Sequence, residues 1–169
     1  MKSFLCVCLV FTLLIGCGYK PSSYYSKTAI EGDVYVDLKV DIDNAQNSVY
    51  VKDAINEMVL KYFKATLTDD KKAADSLIIA ELRSAIHTAM STDEDGYAKS
   101  YRTTVIIDVT YNKRNEKQKT LSLTDYYDYT VDTDSIVTDQ KKQAAIKIAS
   151  TKALSNLFSK IAVHSMQDR

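Results

Sequence analysis

From Ile78 to Val131 apolar and polar side chains alternate along the chain, and that pattern restricts the fold more than any other feature. Ile78, Ala80, Leu82, Ile86 and Met90 fall on one face, and Glu81, Arg83 and His87 on the other. After the polar stretch Ser91 to Gly96, Tyr101, Val105, Ile107, Val109 and Tyr111 continue the apolar face against Arg102, Thr104 and Asp108. Beyond a turn from Asn112 to Lys117, Leu121, Leu123, Tyr127, Tyr129 and Val131 alternate with Ser122, Thr124, Tyr126 and Asp128. Successive strand side chains point to opposite faces, so each run reads as a strand with one buried face. The short polar turns predict three antiparallel strands joined by hairpins. At about 3.4 Å per residue they run roughly 40–50 Å, longer than ordinary strands.

The rest of the chain supplies a fourth strand and two helices. Val34, Val36, Leu38, Val40 and Ile42 alternate with Asp37, Lys39 and Asp41, again a strand with one buried face. Asp43 to Ser48 breaks that pattern, and Asn47 or Ser48 is suited to cap a helix of roughly residues 49–66. Val51, Ile55, Met58, Val59 and Tyr62 share its apolar side. Thr138 or Asp139 caps a last helix lined by Ile146, Ala149, Ala153, Leu154, Leu157, Phe158 and Ile161. The expected fold is α+β with element order β-α-β-β-β-α. It is a two-layer sandwich in which a four-stranded, mainly antiparallel sheet carries both helices on one face and leaves the other face polar.

The first residues set a compartment. Lys2 precedes an apolar run from Phe4 to Ile15 that is broken only by Thr12 and ends in Leu14-Ile15-Gly16-Cys17. The run is too short to span a hydrocarbon core of roughly 30 Å and has the length of a signal-peptide core. Its end resembles the lipobox of bacterial lipoproteins, in which the cysteine is acylated and becomes the new N-terminus. The expected domains are a signal peptide over 1–16, a lipidated N-terminus and tether over 17–33, and one folded domain over 34–165. Cys6 and Cys8 leave with the signal, so Cys17 is the sole thiol of the mature protein and serves the lipid. No disulfide or thiolate metal site is then possible. Acyl chains such as palmitate, at about 0.8 kcal/mol per buried CH₂, make the anchor effectively permanent. Gly18 follows Cys17 in place of an aspartate, which favours the outer membrane.

The chain has 22 basic and 22 acidic residues, so overall charge gives no argument for nucleic acid or an anionic membrane surface as a partner, and no nucleic acid is expected. Only His87 and His164 are histidines, and both read as exposed polar side chains. No G-x-S-x-G, H-E-x-x-H or Gly-rich phosphate loop is present. Asp93-Glu94-Asp95 reads as a solvated hairpin tip instead of a cation site. The expectation is a protein that is not an enzyme and has neither cofactor nor metal. Twelve tyrosines and no tryptophan suit half-wet contact surfaces as well as strands. The local cations able to grip phosphates are Lys99 and Arg102 on one strand and Lys113 and Arg114 at the next turn.

The lipobox, the start Cys17-Gly18-Tyr19-Lys20, the short tether and the β-α-β-β-β-α order together resemble the LPS-assembly lipoprotein LptE family. The resemblance implies a lipoprotein seated as a plug in the outer-membrane barrel LptD, the pair placing lipopolysaccharide in the outer leaflet. It also implies that basic strand and loop residues meet the lipid's phosphates, and Lys99, Arg102, Lys113 and Arg114 are the candidates here. The expected location is the outer membrane, lipid-anchored, with the domain on the periplasmic side or inside the barrel lumen. Two alternatives are an adaptor that activates a cell-wall synthase and a periplasmic lipid carrier.

Overall fold

A computed structural model describes residues 29–40, 45–94, 96–131 and 137–167. The expected signal peptide, Cys17, the tether up to residue 28 and Asp95 lie outside the described residues. The elements are β1 (Asp33–Lys39), α1 (Ala45–Met58), a turn of π-helix (Val59–Phe63), β2 (Thr66–Leu67), β3 (Ser76–Thr92), β4 (Ala98–Lys113), β5 (Lys119–Thr130), α2 (Asp139–Ser155) and α3 (Leu157–Gln167).

The sheet has five strands in the order β2-β1-β3-β4-β5, not four. β3, β4 and β5 form the expected antiparallel meander, whereas β1 runs parallel to both β2 and β3. The sheet is therefore mixed. Its parallel pairing follows from α1, which carries the chain back to the end where β1 began, so the next strand enters in the same direction. Thr66 N–H reaches Gly32 O at 3.2 Å and Thr68 N–H reaches Val34 O at 3.0 Å. Two residues show no alternation, which is why this strand has no sequence signal.

The helices also differ in their ends. α1 begins at Ala45, and Ser48, expected as a cap, is buried within it. Its π-helical extension stops at Lys64, whose left-handed backbone (φ +53°) ends the helix short of residue 66. Thr138 caps α2 as expected, its hydroxyl accepting from Lys141 N–H at 3.3 Å. The expected single last helix is broken at Asn156 into α2 and α3. Ala145, Ala149 and Ala153 are buried, so α2 approaches the sheet closely. Leu154, Leu157 and Ile161 complete the same core.

The largest departure lies within β3. Leu82 pairs with Ile107, but the next register pair is Ser84 with Ile106, leaving Arg83 as an extra residue in a β-bulge. An inserted residue reverses the face of everything after it. Ile78, Ala80 and Leu82 point into the core as expected, but beyond the bulge Ala85 and His87 take the helix side. They pair there with Val105 and Thr103, while Ile86 opposes Thr104 on the open face. Leu82 is fully buried and Ile86 is 56 % exposed; Met90, also expected in the core, is exposed. The open face is correspondingly less polar than expected, since half-buried Ile79 and Ile106 lie on it.

Candidate functional site

The four cations expected to form a site are held by β4 at its two ends. Arg102 and Lys113 are eleven positions apart along this strand, or roughly 36 Å at the usual strand rise. Lys99 and Arg102 lie toward the β3–β4 hairpin, and Lys113 and Arg114 at the β4–β5 turn, each engaged by a different acid. The two pairs do not meet.

At the first end, Arg102 stands directly across from Asp128 in the β4–β5 register. Its Nε and Nη2 donate to the two carboxylate oxygens at 2.7 Å each. The same guanidinium lies 3.8 Å from the centre of the Tyr126 ring, so a bidentate ion pair and a cation–π contact hold one side chain. The hydrogen bond from Arg102, followed by its charge, lowers the pKa of Asp128, and that hydrogen bond raises the pKa of Arg102. All three residues sit on the open face, where Tyr126 is exposed. Lys99 Nζ lies 3.4 Å from Asp93. Asp93 also accepts from Tyr97 N–H at 2.7 Å, so it acts in the hairpin turn.

At the other end, Lys113 pairs with Glu31 at 2.6 Å. Arg114 clamps the loop before β3: Nε and Nη2 donate to Ala74 O at 3.1 and 2.8 Å, and Nη2 donates to Ala73 O as well. Asp75 lies 3.6 Å from it. Each expected cation is thus matched by an acid, and Arg114 also ties together two strands' ends.

The histidines depart from expectation, for both are half-buried and bonded. His87, carried to the helix side by the bulge, places Nδ1 2.7 Å from Thr103 Oγ1. His164 Nδ1 lies 3.0 Å from the Tyr111 hydroxyl. Burial first, and then the Lys142 cation, lowers the pKa of His87 below its ordinary 6.5. The sign is therefore that of a group kept neutral by the fold. Its contribution to stability is whole above pH 6.5 and is lost as pH falls from there toward the lowered folded value. His87→Gln should flatten the loss of stability in that window, measured by denaturant unfolding at stepped pH. A catalytic imidazole needs an orienting acid, and the charged neighbour here is a cation.

The tyrosines divide by face. Tyr101 and Tyr129 stack at 5.8 Å and Tyr127 and Tyr129 at 6.4 Å, all on the helix side, with Lys152 over Tyr127 at 5.5 Å. They are an internal ladder, while Tyr97 and Tyr126 are exposed. Lys152 and Lys160, which carry no sequence signal beyond solvated lysines, reach from the helices to backbone carbonyls of β5. Among the described residues no group of three His, Cys, Asp or Glu side chains is placed to hold a metal, and no helix is long and apolar enough to cross a membrane.

The model of the lipopolysaccharide-assembly family LptE matches residues 35–161, from within β1 to within α3. The chain belongs to the LptE family. As a member it is a lipopolysaccharide-assembly lipoprotein by family. Among solved structures, a proposed lipoprotein from Caulobacter crescentus superposes with TM-score 0.53 at 6% identity, covering 86% of this chain and 96% of its own. Lipoprotein B from Nitrosomonas europaea superposes with TM-score 0.51 at 12% identity, covering 89% and 94%. At such identities these likenesses speak for the fold alone. No curated protein matches the chain in sequence.

Proposed function

We propose that this LptE-family protein is an outer-membrane lipoprotein that plugs the LptD barrel and works with it to insert lipopolysaccharide into the outer leaflet. Cleavage of residues 1–16 leaves Cys17 as the acylated anchor, and 17–33 tethers the domain. The protein acts as an assembly partner and not as an enzyme, and it takes no cofactor.

The observation that supports this reading best is the uncovered sheet face. The helices lie on one side of the sheet, and the other side presents cross-strand pairs such as Arg102 with Asp128 and Arg83 with Asp108. The lumens of large outer-membrane barrels are polar, and a plug needs an outer surface of this kind. Lys99 and Arg102 at one end of β4, and Lys113 and Arg114 at the other, are the proposed contacts to lipopolysaccharide phosphates or the barrel. A lipid carrier is disfavoured, because fully buried Ile55, Ile78, Leu82, Ile107, Leu154 and Ile161 occupy the space between sheet and helices that acyl chains would need.

The test is purification of a tagged full chain from cell envelopes in mild detergent. The expected result is co-purification with the LptD barrel in fixed ratio. Recovery of the protein alone would overturn the reading.

A further inference from the structure

β5 ends the sheet, and its outer edge is only partly blocked. Ser122 O accepts from Lys160 Nζ at 3.3 Å and Tyr126 O from Lys152 Nζ at 3.4 Å. Tyr126 N–H turns to Asp125 Oδ1 at 2.8 Å. These contacts identify the even-numbered residues as the ones whose backbone groups face outward, because outward and inward groups alternate along an edge strand. Thr124, between the two lysine-capped carbonyls, presents its N–H and C=O to the edge. Beside this edge α3 overhangs the sheet. Leu121, Ser159, Lys160, Val163 and His164 line a largely apolar groove of about 330 Å³, and Val163 is 54 % exposed.

We propose that this edge and groove form a docking site for an extended segment of another protein, added as a sixth strand beside β5 under α3. Backbone pairing at Ser122 and Thr124 supplies the adhesion, as in other strand-addition interfaces. Charge supplies the choice of partner. The added residue opposite Leu121 enters the groove, and those opposite Leu123 and Tyr127 pass Lys160 and Lys152. The occupant therefore carries, on its helix side, an apolar residue and two carboxylates four residues apart. Asp125 forms no ion pair with either lysine; its oxygens accept from Tyr126 N–H at 2.8 Å and from Asn156 Nδ2 at 3.4 Å. A second copy of the chain fits poorly. Antiparallel pairing centred on Thr124 would set Ser122 against Tyr126 of the other copy and so bring Lys160 against Lys152. Edge lysines that repel self-pairing in this way also select an acidic strand. The inference does not depend on the barrel reading.

The test uses the full chain in detergent and a synthetic nonapeptide, for pairing antiparallel to β5, in which threonines alternate with glutamate, serine, glutamate and valine. Millimolar peptide should slow amide exchange at Ser122 and Thr124 about tenfold or more, and leave exchange in β1 unchanged. Thr124→Pro removes an outward N–H without touching the β4 ladder and should abolish the protection at Ser122 with an unchanged thermal midpoint. Val163→Glu, at an exposed position, should weaken binding if the proline variant folds poorly. Lys152→Glu with Lys160→Glu should lose this peptide and bind its lysine counterpart. No protection at millimolar peptide, or equal binding by the charge-reversed protein, would overturn the proposal. A dimer that Thr124→Pro dissociates would overturn it in favour of a second copy.

Discussion

Leu82→Ala should lower the unfolding free energy by about 2–5 kcal/mol, whereas Ile86→Ala should change it by no more than about 0.5 kcal/mol. Both residues are apolar and sit four apart on what alternation reads as one buried face. The bulge at Arg83 separates them. Leu82 is fully enclosed and pairs with buried Ile107 across the central strands, so truncation leaves a cavity that close-packed neighbours cannot fill. Ile86 stands on the open face opposite Thr104, and its truncation removes mainly solvent contact. Urea unfolding of the two variants decides the matter. Equal losses would mean that the strand runs without the bulge and that His87 faces the open side.

Gly32→Ala should be the second large effect, about 2–4 kcal/mol from combined strain and a lost hydrogen bond. Gly32 has φ +71°, where an L side chain is disfavoured. A Cβ there would also stand 2.9 Å from Asp75 Cβ and collide with Asp75 Oδ2. Asp75 is not free to move away. Its Oδ2 accepts from Asp33 N–H at 3.1 Å, its own N–H donates to Asp33 O at 2.7 Å, and its carbonyl accepts from Arg114 N–H at 2.8 Å. The residue knits the entry of β1 to that of β3 and to the turn after β4. Gly96 is the control: its φ is +86° but an added Cβ meets nothing within 4 Å. Gly96→Ala should therefore show the backbone strain alone, about 1–2 kcal/mol. Thermal midpoints of the two variants, compared with the parent, separate strain from collision.

Much of the architecture was legible because it rests on local patterns. Three long alternating runs specified the meander, and Thr138 announced the start of α2. The failures share a cause. A two-residue strand, a bulge and a helix break each involve one or two residues, and nothing in Thr66-Leu67, Arg83 or Asn156 distinguishes them from their neighbours. Once Arg83 bulges, the faces of Ile86 and His87 are interchanged, and so the reading of the candidate site changed with them. The basic residues show a different limit. Lys99, Arg102, Lys113 and Arg114 are visible as cations in the sequence, but their acids come from positions far along the chain: Asp128 is 26 residues from Arg102 and Glu31 is 82 from Lys113.

By itself the sequence determined the class of the molecule: an α+β domain with a long antiparallel meander, helices on one face, an expected lipid anchor at Cys17 and a resemblance to the LptE family. Hydrophobic periodicity carries that information, because burial of one face is a property each segment expresses alone. Only the tertiary structure decided which side His87 and Ile86 occupy, that β1 pairs in parallel, that the four cations form two distant and neutralised pairs, and that β5 keeps a lysine-flanked edge. Those are outcomes of register and of side chains meeting across the chain, and a linear pattern contains neither.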